Sequence, residues 1–171
     1  LTGRTLFWRG RIRHAIPLLG ATLKDGPDPE RAYSLLGEAV ALKHDVTGNP
    51  SLGGPVSPPI GHRLVAFTRD MISLDHLLPV IWRWSGQGGR DAVIVFIGAM
   101  PTIDWRIEAA ESMPGVHVRT LLDLTVDLDI GAMLRDLLAG AAGRVVVFDK
   151  SNDVTGRIFG GAARRNHAAF V

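Results

Sequence analysis

Asp149 closes an apolar run, Arg144-Val145-Val146-Val147-Phe148, and opens the polar stretch Asp149-Lys150-Ser151-Asn152-Asp153. A carboxylate at the tip of a strand can act as a general base or hold a sugar or ribose hydroxyl. Lys150, Ser151 and Asn152 behind it suit a phosphate or sugar seated where the next helix begins, because the free N–H groups there favour anions. The competing use is structural: Asn152 or Asp153 caps that helix and Lys150 is solvated. A second polar set, Thr68-Arg69-Asp70-Met71-Ile72-Ser73, follows the apolar run Leu64-Val65-Ala66-Phe67. Here Thr68 and Arg69 are candidate substrate contacts, since a guanidinium grips two phosphate oxygens at once. The alternative is an exposed Arg69 paired with Asp70. His76, close behind this loop, is the histidine kept as a candidate contact.

Other motifs carry less. Asp127-Leu128-Asp129 spells the D-x-D that can hold a metal through hard oxygen ligands, but Asp129 also suits the N-cap of a helix starting at Ile130. The six histidines (14, 44, 62, 76, 117 and 167) fall at no zinc spacing, and with no cysteine there is no thiolate ligand. No metal site and no resident cofactor are expected. Gly86-Gln87-Gly88-Gly89 precedes a strand, and Gly156 to Gly161 lacks the G-x-G-x-x-G spacing, so a dinucleotide fingerprint is disfavoured. Trp8, Trp82, Trp84 and Trp105 read as packing residues.

The elements that must position these residues alternate. Short apolar runs at 63–67, 91–97, 116–122, 144–148 and 167–171 read as strands. Helical spacing fills the gaps between them, with Asp75 or Ser73 capping a helix that contains Pro79, Thr102 capping one that runs to 113, a third over 130–142 and a fourth over 154–165. Strands separated by helices and short loops imply βαβ crossovers, hence an α/β fold with a parallel, Rossmann-like sheet flanked by helices. In such sheets ligands sit beyond the carboxyl ends of the strands, where strand order reverses. Residues 1–47 read as a helical N-terminal segment that includes a helix from Pro29, capped by Asp28, to about 44. A Pro/Gly-rich linker covers 48–61, and the Rossmann-like part covers 62–171, incomplete at its C-terminus. The chain begins at Leu1 and stops inside an apolar run at Val171, which suggests a piece of a longer protein.

Composition bounds the function. The chain has 171 residues, 46% hydrophobic and 21% charged, which excludes a disordered or fibrous protein. A net charge of +2 gives no footprint for nucleic acid. No apolar run approaches the length of a membrane span. Arg4, Arg9, Arg11, Arg13 and Lys24 gather in residues 1–24 with no acid among them. With Leu6, Phe7, Ile12, Ile16, Leu18 and Leu19 between them, they could rest on an anionic membrane or a partner, the plainer alternative being a solvated helix face. The expected place is the cytoplasm, with peripheral contact at the inner face of the membrane through residues 1–24.

Residues 62–171 resemble the N-terminal Rossmann-like half of nucleotide-sugar enzymes of GT-B architecture, among them the UDP-N-acetylglucosamine 2-epimerases and the CDP-glycerol glycerophosphotransferases. Phe67-Thr68-Arg69-Asp70, with Leu78-Pro79-Val80-Ile81 further on, is similar to the epimerase start: a strand, Gly-Thr-Arg-Pro-Glu, then a helix with Pro-Val-Ile. Val145 to Asp153, followed by Gly160-Gly-Ala-Ala-Arg164, is similar to the strand, Gly-Asp loop and alanine-rich helix of such enzymes. The chain departs from that pattern at Phe67, at Asp70-Met71 and at Phe148. The resemblance implies Arg69 as a nucleotide-phosphate contact and Asp149 as an acid/base or sugar contact. It implies the acceptor-side domain of a glycosyltransferase-like enzyme in surface polysaccharide synthesis. Its partners would be a nucleotide-activated sugar or glycerol donor and a saccharide or lipid-linked acceptor. The alternative is a non-catalytic, flavodoxin-like module that binds a partner or a small ligand.

Overall fold

The computed structural model describes residues 1–46, 56–98, 100–101, 103–149 and 153–171. The chain opens with three helices, α1 (Gly3–Trp8), α2 (Ile12–Asp25) and α3 (Pro29–Val46). The Asp28 carboxylate accepts the Arg31 N–H at 3.1 Å and so caps α3, with Pro29 at its first position, where no N–H is needed. Most of the expected 48–61 linker lies outside the described residues.

The alternating region follows: β1 (His62–Thr68), α4 (Met71–Ser85), β2 (Arg90–Phe96), α5 (Trp105–Ser112), β3 (Val116–Thr120), α6 (Leu121–Leu124), α7 (Ile130–Leu137), β4 (Gly143–Phe148), α8 (Val154–Arg165) and β5 (Ala169–Phe170). The strands form one five-stranded sheet in the order β3-β2-β1-β4-β5, every pair parallel. This is the expected α/β fold with a parallel Rossmann-like sheet and helices on both faces. Strand alternation divides the core. Leu64, Ala66, Ala92, Ile94 and Phe96 face α4 and α5. Val65, Phe67, Val93, Val95, Val146 and Phe148 face α1 to α3, α7 and α8. Leu6, Phe7, Ile12 and Leu19 of the basic N-terminal segment are buried in that second cluster, while Leu18 stays 40% exposed. Any membrane contact of residues 1–24 would therefore be made through the exposed cations, Leu1 and Leu18.

Several element ends differ from expectation, most of them because a nearer polar group captured the free N–H groups. Asp70, not Asp75 or Ser73, caps α4, accepting the Ser73 N–H at 2.8 Å. Pro79 therefore stands in mid-helix, where its ring leaves the Asp75 carbonyl without a ladder donor. Asp104 caps α5 through the Arg106 N–H at 2.9 Å, and Thr102 lies outside the described residues. β3 stops at Thr120 because Thr120 and Asp123 exchange the two hydrogen bonds of a capping box and start α6. α7 stops at Leu137, just before Gly140 at φ 80°.

Candidate functional site

The chain winds from β1 through β2 to β3 and then returns to lay β4 on the free edge of β1. Strand order thus reverses between β1 and β4, and their carboxyl ends flank the crevice. Thr68 and Asp149 follow directly on the paired Phe67 and Phe148, and Arg69 follows Thr68. A single aromatic ring holds the two strand ends in place. Phe159 of α8 packs on Phe67 with ring centroids 4.2 Å apart and on Phe148 at 5.3 Å, so the residues immediately before Thr68 and Asp149 share one support.

Thr68 is fully buried and its hydroxyl donates to the Asp70 carbonyl at 2.9 Å, a turn-forming contact that uses the donor. Arg69 crosses from the β1 loop to the start of α8. Its Nη2 donates to Thr155 Oγ1 at 2.6 Å, its Nη1 lies 3.8 Å from Asp153 Oδ2, and its Nε is buried with no partner among the described residues. Asp153 also caps α8, accepting the Gly156 N–H at 2.7 Å, so one carboxylate serves both the helix and the arginine. Both carboxylate oxygens of Asp149 are buried and find no hydrogen-bond partner among the described residues. A buried carboxylate without donors is costly to the fold, and a ligand hydroxyl would supply one. Below the strand ends thus lie an acceptor pair from β4 and, from β1, a guanidinium N–H, each buried and without a partner among the described residues. Such a pairing suits a ligand with a hydroxyl at one end and an anionic oxygen at the other.

The remaining candidates fall elsewhere. Lys150, Ser151 and Asn152 lie outside the described residues. His76 is exposed on α4, on the side turned from the sheet. Asp129 accepts the Ala132 N–H at 3.0 Å as the cap of α7 and stands 3.0 Å from Arg11 Nε, while Asp127 is 3.8 Å from Arg13. Among the described residues no three His, Asp or Glu side chains cluster as metal ligands would.

Two contributors to the crevice have no signal in the sequence. Thr155 meets Arg69 across 86 residues of chain. The last turn of α3 reaches the rim, since a Cβ at Gly98 would lie 3.3 Å from the Arg69 carbonyl and 3.6 Å from the Asp45 carbonyl.

No family model matches the sequence, and no curated protein matches it. Among solved structures, the chain is similar to a mutant form of the O-GlcNAc transferase of Thermobaculum terrenum, with 18% identity and a TM-score of 0.38. The alignment covers 85% of this chain and 31% of that one, so the chain spans about a third of that transferase's length. A superposition of that depth leaves the reaction to be argued from the crevice itself. No helix among the described residues is long and apolar enough to cross a membrane.

Proposed function

We propose that the chain is the acceptor-side half of a glycosyltransferase-like enzyme of GT-B type, using a nucleotide-activated sugar or glycerol donor in surface polysaccharide synthesis. The observation that supports this reading is the Asp149 carboxylate, buried and without a partner among the described residues, at the reversal point of the sheet where the loop carrying Arg69 also begins. An acceptor hydroxyl donates to Asp149. As its oxygen attacks the donor carbon or phosphorus, the proton passes to the carboxylate, the bond to the departing nucleotide phosphate breaks, and the negative charge leaves with that phosphate. Arg69 and the Lys150-Ser151-Asn152 loop contribute positive charge and donors toward it, and a second domain supplies the rest of the nucleotide site. The enzyme works in the cytoplasm, and the arginines of residues 1–24 keep it near an anionic surface.

Assays on the native full-length protein with a panel of nucleotide sugars and CDP-glycerol test the assignment. Asp149→Asn should lower kcat by about 10²–10⁴-fold, the range for loss of a general base, and Arg69→Ala should mainly raise the donor KM. Full activity of Asp149→Asn would remove the role. The intact mass of the native polypeptide tests the missing half. Two such domains need roughly 35–45 kDa at ordinary domain sizes, whereas a mass near 18.4 kDa would overturn the two-domain reading.

A further inference from the structure

α8 carries a second group of cations that the strand-end crevice does not use. Arg157, Gly161 and Arg164 recur at spacings of four and three and so share one face of the helix. They span about 10 Å at 1.5 Å per residue. With Arg165 and with Trp8 at the end of α1 they line an open groove of 560 Å³. Arg157, Arg164 and Arg165 are all exposed. Gly161 leaves the groove floor as bare backbone, since a Cβ there would come within 3.4 Å of Arg165 Nη1 and 3.8 Å of the Trp8 carbonyl.

Arg165 is fixed in place. Its Nη2 donates to the Arg9 carbonyl at 2.7 Å and its Nη1 to the Trp8 carbonyl at 3.5 Å, at the C-terminal end of α1 where carbonyls lack helical donors. Partial burial first, and then the charges of Arg9 and Arg164, pull its pKa below the ordinary arginine value against the opposing Asp129. Asp129 is itself paired with Arg11, and Asp153 with Arg69. Among the described residues no carboxylate forms an ion pair with Arg157, Arg164 or Arg165. Guanidinium groups lining one groove without ion pairs of their own favour an anion there, and a phosphate accepts their paired N–H donors.

We propose that this groove is a second binding site, for a phosphate-bearing ligand. Arg157 and Arg164 grip the phosphate from either end of the groove, Arg165 borders it, and the Trp8 ring forms the wall against which the organic part of the ligand packs. A soluble phosphate ester and an anionic lipid headgroup present the same chemistry, and two arms of one experiment separate them.

The full chain is titrated with inorganic phosphate at constant ionic strength, so that general screening does not change, and is sedimented with phosphatidylglycerol vesicles against phosphatidylcholine vesicles. The variants are Arg157→Gln with Arg164→Gln, exposed positions whose side chains make no hydrogen bond or ion pair among the described residues, and Arg31→Gln with Arg83→Gln, which removes the same charge elsewhere. Saturable phosphate binding weakened at least tenfold in the first variant and retained in the second supports the site with a soluble ligand. Sedimentation with the anionic vesicles alone, lost in the first variant and retained in the second, supports it with a headgroup. Equal losses in both variants, or no saturable binding in either arm, overturn the proposal.

Discussion

At the scale of single residues, Asp149 makes a prediction that separates function from stability. A buried carboxylate without a donor costs about 1–3 kcal/mol or more, and such groups persist at sites that bind something. Asp149→Asn, which removes the charge, should therefore raise the midpoint of thermal unfolding while it lowers kcat, a pairing checked by calorimetry beside the assay. A lower midpoint would mean that the carboxylate supports the fold. His117 gives the pH dependence. Burial, followed by the charges of Arg119 and Arg63 and opposed by Asp91 and Glu111, lowers its pKa below the ordinary 6.5. The unfolded chain then binds the proton more readily than the folded one. Stability should thus fall as pH drops past about 6.5 and level off below the lowered folded value, and His117→Gln should flatten that limb of a denaturation series. The position of Asp149 just past the end of β4 was legible in the sequence because Val-Val-Val-Phe reads as a buried strand. Thr155 as the partner of Arg69 was not, because nothing local links residues so far apart.

At the scale of elements, α8 does two jobs with adjacent glycines, and they should respond oppositely to one substitution. A Cβ at Gly160 would lie 2.8 Å from the Phe170 ring, so α8 packs on β5 only where that position is bare. The corresponding distances at Gly161 are 3.4 Å to the tip of Arg165 and 3.8 Å to a carbonyl, ordinary contacts with room to adjust. Gly160→Ala should destabilise by about 1–3 kcal/mol through overpacking. Gly161→Ala should stabilise by up to about 1 kcal/mol, the gain in helix propensity. Chemical denaturation of both variants checks the contrast, and equal effects would contradict the packing argument. The strands and α8 were readable because buried parallel strands are short apolar runs and because Asp153 stands where a cap must. The starts of α4 and α5 were misplaced because several acids or hydroxyls in each loop can cap equally well by type. Only the chain's path selects Asp70 and Asp104.

At the scale of the whole molecule, local periodicity implied parallel strands but could not order them, and the apolar residues of 1–46 gave no sign of which surface they cover. Both outcomes depend on contacts between distant segments. The group that ties those segments together at the amino ends of the strands is Arg63, 2% exposed. Its Nε and Nη2 hold the two oxygens of Asp91 at 3.0 and 2.5 Å, joining β1 to β2. Its Nη1 donates to the Leu137 carbonyl at 2.8 Å, at the end of α7, and its Nη2 to the Ser57 carbonyl at 2.7 Å, ahead of β1. Arg63→Met would leave Asp91 buried with an uncompensated charge, and should cost about 3–5 kcal/mol. Adding Asp91→Leu removes that charge and should recover much of the loss, because a buried ion pair replaced by apolar residues of similar volume is often near neutral. Recovery should stay incomplete by about 1–3 kcal/mol, since the Leu137 and Ser57 carbonyls still lack the donor that joined α7 and residue 57 to the sheet. Urea midpoints of the single and double variants measure both parts. If the double variant is no more stable than Arg63→Met, the cost lies in lost packing and carbonyl contacts rather than in the stranded charge, and Arg63 acts as a strut between layers more than as half of an ion pair.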